Sequence, residues 1–188
     1  QDVKDAYIKA FAQIRKATRL KIILATYFGP LADNAALAAG LGADILHIDL
    51  VRAPEQVGSI AALLPNDISL SLGVVDGRNI WKNDFRQSLD IIEKAKDKLE
   101  SDRLLVSTSC SLLHSPIDLD AETDEKTLPR EVKRWMAFAR QKVAEVVTLA
   151  DLADGKGSYA AQKALHENKA DIQDRRTAAL SNNTDVYQ

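Results

Sequence analysis

Two carboxylates with a basic residue close by are the clearest candidates for acid–base chemistry. Asp49 ends one apolar, strand-like run, and Asp76 directly follows another. Two such carboxylates at one end of a sheet could act as general acid and general base. The alternative is an ion pair between either carboxylate and Arg52 or Arg78, whose guanidinium fork suits several hydrogen bonds at once. We favour the ion pair, since charges in such positions are often structural.

A metal site is the second chemical possibility. The chain contains one cysteine and three histidines. Cys110 and His114 lie in one short segment, and His47 lies near the end of a strand-like run. Together they would supply at most three zinc ligands. We favour hydrogen-bonded histidines and a small buried thiol instead, and we assign no metal, catalytic or cofactor-binding residue.

The candidate residues at the ends of the strand-like runs are therefore expected to be structural. They are His47, Asp49, Asp76, Arg78, Asn79, Ser109, Cys110 and His114.

Four strand-like runs position these residues. They cover Lys21 to Tyr27, Ile45 to Leu50, Ile68 to Val75 and Leu104 to Ser109. Within them, apolar residues alternate with small or polar ones, as in Leu46, His47 and Ile48. A flat sheet between two helical layers is apolar on both faces, whereas a barrel can carry polar side chains inside. The alternation therefore favours a barrel.

Helical patterns separate the strands. Apolar stripes with helical spacing start at Val3, Val57, Phe85 and Val132, and the last continues to Ala150. Asn83 is a plausible N-cap for the third stripe. A polar, helical tail follows the flexible break at Gly155, so residues 1–154 and 155–188 are the predicted divisions.

The strand and helix order predicts an α/β fold, namely half of a TIM (β/α)8 barrel with a C-terminal helical extension. A complete barrel needs roughly 250 residues, and this chain has 188. The chain also begins with Gln1 rather than Met. We therefore expect it to be part of a longer protein.

Composition excludes several classes of partner. The net charge of -2 makes nucleic acid and anionic membranes poor partners. A single cysteine fits a reducing, cytoplasmic environment.

Two segments resemble ligand-binding loops but lack their context. Gly40 to Asp44 precedes a strand, so it is a helix C-cap rather than a dinucleotide loop. The acidic run from Asp118 to Glu125 lacks the glycine and terminal glutamate of a calcium loop.

Four segments resemble cobalamin-independent methionine synthase, in the second half of its N-terminal barrel. They are 25–29 (Ala-Thr-Tyr-Phe-Gly), 46–51 (Leu-His-Ile-Asp-Leu-Val), 73–81 (Gly-Val-Val-Asp-Gly-Arg-Asn-Ile-Trp) and 109–116 (Ser-Cys-Ser-Leu-Leu-His-Ser-Pro). The resemblance continues through 132–139 and Gln141-Lys142, and it weakens beyond Gly155.

The resemblance implies a methyltransferase that moves a methyl group from a methyltetrahydrofolate polyglutamate to homocysteine. It also implies a zinc ion in a second, C-terminal barrel, which would be held by one His, two Cys and one Glu outside this chain. The N-terminal barrel of the family looks like a duplicated copy that lost its metal. This segment is therefore expected to be non-catalytic, with the remainder of its own polypeptide as its partner.

A stand-alone scaffold or binding protein derived from a barrel is the alternative function. The downstream gene sequence separates the two hypotheses, because a second barrel with zinc ligands supports the methyltransferase and an early stop codon supports the scaffold. Four strands also leave two open sheet edges, which invite pairing with another chain. We therefore expect self-association, or association with the rest of the same protein.

Overall fold

The computed structural model describes residues 2–155 and 157–181. It shows an α/β fold with four parallel strands in one sheet, in the order β1-β2-β3-β4. The strands are β1 (Ile23–Ala25), β2 (Ile45–Asp49), β3 (Ser69–Val75) and β4 (Leu104–Thr108). Each lies within a run that the sequence predicted as a strand, and the sequential order is that of half a TIM barrel.

One helix precedes the first strand, others connect the consecutive strands, and the rest follow the last strand. They are α1 (Asp2–Ala17), α2 (Ala35–Gly40), α3 (Val57–Leu63), α4 (Phe85–Lys96), α5 (Arg130–Lys133), α6 (Ala139–Ala153) and α7 (Tyr159–Thr177). The predicted C-terminal extension contains α7, while Lys156 and residues 182–188 of it lie outside the described residues. None of the helices in the described part of the chain is both long enough and apolar enough to cross a membrane.

The chain divides into two compact units. The first holds the described residues of Gln1–Val74 and Ile91–Cys110, and the second holds those of Val75–Asp90 and Ser111–Gln188. The first unit therefore contains nearly all of the sheet. The second contains the loop after β3, the beginning of α4 and the helices α5 to α7.

The first unit is built on the apolar face of the sheet. Parallel pairing places Leu46 beside Leu70 and Ile48 beside Leu72, and each of the four is at most 1% exposed. Burying a leucine or isoleucine stabilises a fold by roughly 1.5 to 3 kcal/mol. The alternation predicted for β2 and β3 is confirmed, and these side chains form the core.

Small and polar residues form the opposite face of the same strands. Ala25 pairs in register with His47, and His47 pairs with Ser71. Asp49 stands beside Gly73 at the carboxyl ends of β2 and β3. In parallel α/β folds, functional side chains come from this end of the strands.

The helix α1 forms as its apolar stripe predicts, yet none of its described residues is buried. Val3 is 70% exposed and Tyr7 is 52% exposed. Its orientation in the first unit is fixed instead by Arg15, which donates to Asp44 at 2.6 Å and to the carbonyl of Gly42 at 2.8 Å. The apolar face of α1 is therefore available to another segment or another chain.

The segment after α2 is a helix C-cap, as the sequence predicted, and Gly42 is the residue that reverses the chain there. Its φ of 75° lies in the left-handed region, which glycine adopts without the steric cost that a Cβ brings. The chain can then turn directly into β2.

The prediction of a single helix from Val132 to Ala150 is wrong. The structure has α5 and α6 with a non-helical stretch between them. In that stretch the N–H of Ala137 donates to the carbonyl of Ile80 at 2.9 Å, and the N–H of Lys82 donates to the carbonyl of Trp135 at 2.8 Å. Pairing with an extended segment replaces helical hydrogen bonds here, so the helix breaks.

The prediction that Asn83 caps the N-terminus of α4 is also wrong. The helix begins at Phe85, which makes Asp84 the N-cap residue. The Asp84 carboxylate accepts from the N–H of Gln87 at 3.2 Å. The Asn83 side chain instead donates to the Ser88 hydroxyl at 2.7 Å. Aspartate and asparagine are almost equally good caps, so the sequence alone could not separate the two positions.

Candidate functional site

His47 is the centre of a buried polar cluster in the first unit. It is 5% exposed. Its Nδ1 lies 2.9 Å from the Ser71 hydroxyl and its Nε2 lies 3.3 Å from the carbonyl of Ser109. A carbonyl can only accept, so Nε2 carries the proton and Nδ1 accepts from Ser71. Burial lowers the pKa of His47, which keeps the ring neutral.

The ring of Tyr27 closes one side of this cluster. Its centroid lies 5.6 Å from that of His47, with the planes at 72°. This edge-on geometry is favourable for aromatic rings. Both nitrogens of the imidazole thus have hydrogen-bond partners within the first unit, and its ring contacts Tyr27 there.

Asp49 organises the main chain around the end of β2. Its Oδ2 accepts from the N–H of Phe28 at 2.9 Å, and its Oδ1 accepts from the N–H groups of Val51 and Arg52 at 3.0 Å each. The residue is 1% exposed. Three N–H donors compensate a buried carboxylate well, so its position is explained by the main chain it holds.

Gly73 allows β2, β3 and β4 to approach closely beside this cluster. A Cβ at this position would lie 2.7 Å from the carbonyl oxygen of Ile48, 2.8 Å from the Cα of Ser109 and 2.9 Å from the His47 ring. Two of these neighbours are main-chain atoms, which cannot swing away. The hydrogen-bonding position of His47 therefore depends on the absence of a side chain at residue 73.

The loop after β3 forms a second polar cluster, within the second unit. Asp76 accepts from the N–H of Arg78 and from the side-chain amide of Asn79, both at 2.8 Å. Asn79 Oδ1 accepts in turn from the N–H of Trp81 at 3.0 Å. Such contacts between a side chain and a following N–H are typical of Asx turns. The side chain of Arg78 is exposed.

Lys142 on α6 binds this loop. The sequence analysis did not identify Lys142 as a candidate. Its side chain is fully buried. The ammonium donates to Asn79 Oδ1 at 3.1 Å and to the carbonyl of Trp81 at 3.0 Å. Burial lowers the pKa of Lys142, while nearby Glu145 and Asp76 favour its charged form.

Glu145, one helical turn further along α6, is also buried. Its Oε1 accepts from the N–H of Asn83 at 3.0 Å, whereas its Oε2 has no hydrogen-bond partner among the described residues. Burial raises the pKa of Glu145 to about 7, despite the opposing effect of Lys142. Burial therefore favours the neutral form of the Glu145 carboxyl group relative to an exposed glutamate.

The spacing of the buried positions explains why Lys142 and Glu145 were missed. The predicted stripe of α6 included Val143, which is 52% exposed. The face that is buried contains Lys142, Glu145, Leu149, Leu152 and Ala153. This stripe also has helical spacing. The presence of two charged residues in it was the sequence signal that could have identified Lys142 and Glu145.

The remaining candidates lie in different settings. Ser109 and Cys110 belong to the first unit and are both 2% exposed. The hydroxyl of Thr108 donates to the carbonyl of Cys110 at 2.9 Å. His114 ends a short 3-10 turn in the second unit, and its side chain is exposed.

These residues do not form a metal centre in the part of the chain that is described. There, no group of three or more His, Cys, Asp or Glu side chains is arranged to hold an ion. The residues present therefore do not fit the zinc ion that the resemblance implies for the wider family.

The acidic run is anchored at its first residue. Asp118 accepts from Gln141 at 2.7 Å and from Arg140 at 2.6 Å, at the beginning of α6. These two side chains, with the N–H of Asp120, lower the pKa of Asp118 to about 2. Asp118 thus joins this loop to α6 within the second unit.

The side chains of both polar clusters form hydrogen bonds with other groups of the protein. The cluster around His47 contains a neutral imidazole with both nitrogens occupied, and the loop cluster contains side chains that bind one another or main-chain groups. General acid–base catalysis needs a group within hydrogen-bond reach of a substrate proton. The hydrogen bonds that the structure gives for these side chains go to other groups of the protein. The side chains concerned are His47, Asp49, Asp76 and Asn79.

Known proteins match this chain over nearly its whole length. A family model described as "Cobalamin-independent synthase, N-terminal domain" matches residues 1–100. A 5-methyltetrahydropteroyltriglutamate–homocysteine methyltransferase of Flavobacterium johnsoniae is 43% identical over 186 residues, which cover 97% of this chain and 24% of that protein.

Two further relatives carry the same name. The Coxiella burnetii protein is 45% identical over 184 residues, covering 97% of this chain and 23% of its own length. The Xylella fastidiosa protein is 42% identical over 185 residues, covering 98% and 24%. The chain thus spans about 24% of the length of the curated relatives it matches. It belongs to the family of cobalamin-independent synthases, in their N-terminal domain.

Proposed function

We propose that this chain is a structural, non-catalytic part of the N-terminal barrel of a methionine synthase. Residues 1–154 would form the second half of that barrel, and residues 155–188 its helical extension. The parent polypeptide would transfer a methyl group from 5-methyltetrahydropteroyl-polyglutamate to homocysteine. The names of the relatives support this reaction class.

The observation that supports a structural role is that the polar side chains form hydrogen bonds within the protein. His47 binds Ser71 and Ser109, and Asp49 binds three main-chain N–H groups. The loop after β3 is closed by Asp76 and Asn79 in the same manner. These contacts fix loops and strand ends, which is the role of a scaffold.

Zinc would belong to another part of the parent protein. The described residues offer no ligand cluster for it, and no step of the reaction is assigned to this segment. When bound elsewhere, zinc would activate the homocysteine thiol by favouring its deprotonated form.

The partner of this segment would be the remainder of its own polypeptide, namely the first half of the barrel and the C-terminal catalytic barrel. Two surfaces of the first unit support this. The apolar face of α1 is exposed, and so is Ile23 of β1, at 58%. In the described chain, β1 and β4 each have one sheet edge that no further strand pairs with. Open parallel edges are normally covered in barrels.

Kinetics of the full-length gene product test the proposal. Asp76→Asn and His47→Gln should lower the stability of the enzyme, whereas kcat/KM at a temperature where both variants remain folded should change less than about threefold. The zinc content should stay at the level of the unchanged enzyme. Homocysteine and the folate polyglutamate serve as substrates.

A catalytic role would give a different result. If either substitution lowered kcat/KM by roughly a hundredfold or more while the protein stayed folded, a reacting group would lie in this segment. About one tightly held zinc in the isolated 188-residue chain would also contradict the proposal.

A further inference from the structure

A groove in the second unit lies outside both polar clusters. It has a volume of about 540 Å³ and runs along one face of α7, beside the first turn of α4. Sites for small molecules commonly have volumes of about 300 to 1,000 Å³. The groove therefore has room for a small organic molecule.

Hydrogen bonds fix both walls of the groove. Asn168 of α7 is 5% exposed. It accepts from the N–H of Phe85 at 3.1 Å and donates to the carbonyl of Asn83 at 2.8 Å. Near the end of α7, Arg176 pairs with Asp84 at 2.9 Å. These contacts join α4 and α7 at two points, so the groove is formed before any ligand arrives.

The rim of the groove is positively charged. Among the described residues, three cationic side chains, Arg86, Lys169 and Arg176, line it together with one carboxylate, Asp84. The imidazole of His166 lies on the same face. The excess is notable because the whole chain has a net charge of -2.

Two of the cations are uncommitted. Within residues 2–155 and 157–181, no ion pair or side-chain hydrogen bond engages Arg86 or Lys169. The carboxylate of Asp84 is instead occupied by Arg176 and by the N–H of Gln87. The positive charge of Arg86 and Lys169 is therefore available to an incoming anion.

The floor is partly apolar. Ile172, which is 7% exposed, lies there with Leu165. A ligand with a carbon skeleton would bury that skeleton against these side chains, while its charged groups meet the rim. A bare inorganic ion would leave the apolar contacts unused.

We propose that this groove binds a small organic dianion, either a phosphate monoester or a dicarboxylate. Two anionic oxygens, or one phosphate group, would match the two uncommitted cations, and the carbon skeleton would rest on the floor. Arg86 and Lys169 supply charge-assisted hydrogen bonds, and His166 adds a further donor. The site is independent of the methyltransferase proposed above.

Calorimetric and NMR titrations of the 188-residue chain test this proposal. The probes are glycerol 3-phosphate and succinate, in separate arms, with glycerol as the neutral control. One of the two anions should bind saturably with a Kd below about 1 mM at low salt. It should also shift the ring resonances of His166. Raising the ionic strength should weaken binding, since exposed charges are screened.

Substitutions locate the binding. Arg86→Gln and Lys169→Gln should each raise the Kd by roughly three- to tenfold. Lys163→Gln is the matched control, because Lys163 is on the same helix, is 64% exposed and pairs with Glu167 outside the groove. It should leave the Kd unchanged.

The outcomes decide between the ligand classes and can reject the site. A response to only one anion assigns the phosphate ester or the dicarboxylate. Absence of saturable binding by both anions up to about 10 mM would overturn the proposal. Binding that Lys163→Gln weakens as much as Lys169→Gln does would also overturn it, because the anion would then be attracted only by the general charge of α7.

Discussion

At the residue scale, Gly73 controls how closely three strands approach. Gly73→Ala should destabilise the protein by about 3 kcal/mol, because the added methyl group would clash with main-chain atoms of Ile48 and Ser109. The free energy of unfolding, from urea denaturation, measures this effect. Gly58→Ala is the control, since Gly58 lies in α3 with nothing within 4 Å of its added Cβ. It should be neutral or stabilise the helix by up to about 1 kcal/mol. Similar losses for both variants would contradict the close approach at Gly73.

The protonation state of His47 is also decided at this scale. Burial lowers the pKa of His47 below its ordinary value of 6.5. The unfolded chain therefore binds a proton more readily, and His47 contributes a loss of stability as the pH falls below about 6.5. NMR titration of the imidazole should give a midpoint below 6.5, and the neutral ring should carry its proton on Nε2. A midpoint at or above 6.5 would disagree with the buried cluster.

At the element scale, α6 carries two buried ionisable side chains, Lys142 and Glu145, beside the loop after β3. The pKa of Glu145 is raised from 4.5 to about 7. Between these two pH values the folded protein holds a proton that the unfolded chain has lost, so stability falls as the pH rises. Glu145→Gln removes this titration. At pH 8 the variant should be more stable by about 1 to 3 kcal/mol, and at pH 4 the difference should be small.

Comparison with the unchanged chain separates this effect from that of His47. The two groups act in opposite directions in overlapping ranges of pH, but only Glu145 differs between the two proteins. The quantity to measure is the difference in unfolding free energy at pH 4, 6 and 8. A difference that does not change with pH would show that the pKa of Glu145 is the same in the folded and the unfolded protein, which would contradict the upward shift.

At the scale of the whole molecule, the open sheet predicts association. The outer edges of β1 and β4 have no partner strand in the described chain, and the apolar face of α1 is exposed. We expect the isolated chain to self-associate, with two copies completing an eight-strand arrangement. Analytical ultracentrifugation should show a mass that rises with concentration above 20.6 kDa. A well-folded monomer at all concentrations would exclude this mode of association.

A substitution identifies the surface responsible. Ile23 in β1 is 58% exposed, and Ile23→Lys should weaken self-association because a charge on a strand edge opposes pairing. Leu180→Lys provides a control, since Leu180 is 70% exposed and lies far along the chain from the sheet. It should leave the mass distribution unchanged.

The sequence alone determined the strands, their order and most of the buried face of the sheet. Alternation with a period of two is a local property, and it identified β2 and β3 because one face of each packs against apolar groups. The turn at Asp76 and Gly77 and the C-cap at Gly42 were equally local. The family followed from short strings of residues that needed no structure.

The tertiary structure decided what depends on contacts between distant residues. The stretch from Arg134 to Phe138 is non-helical because it pairs with residues 80–82, which lie some fifty positions earlier. Lys142 is buried because its ammonium finds two oxygens of the loop after β3. A charged residue in a helix normally faces water, and only the position of its partners reveals the exception. The same reason applies to His47, whose neutral tautomer is set by Ser71 in β3 and by Ser109, which directly follows β4.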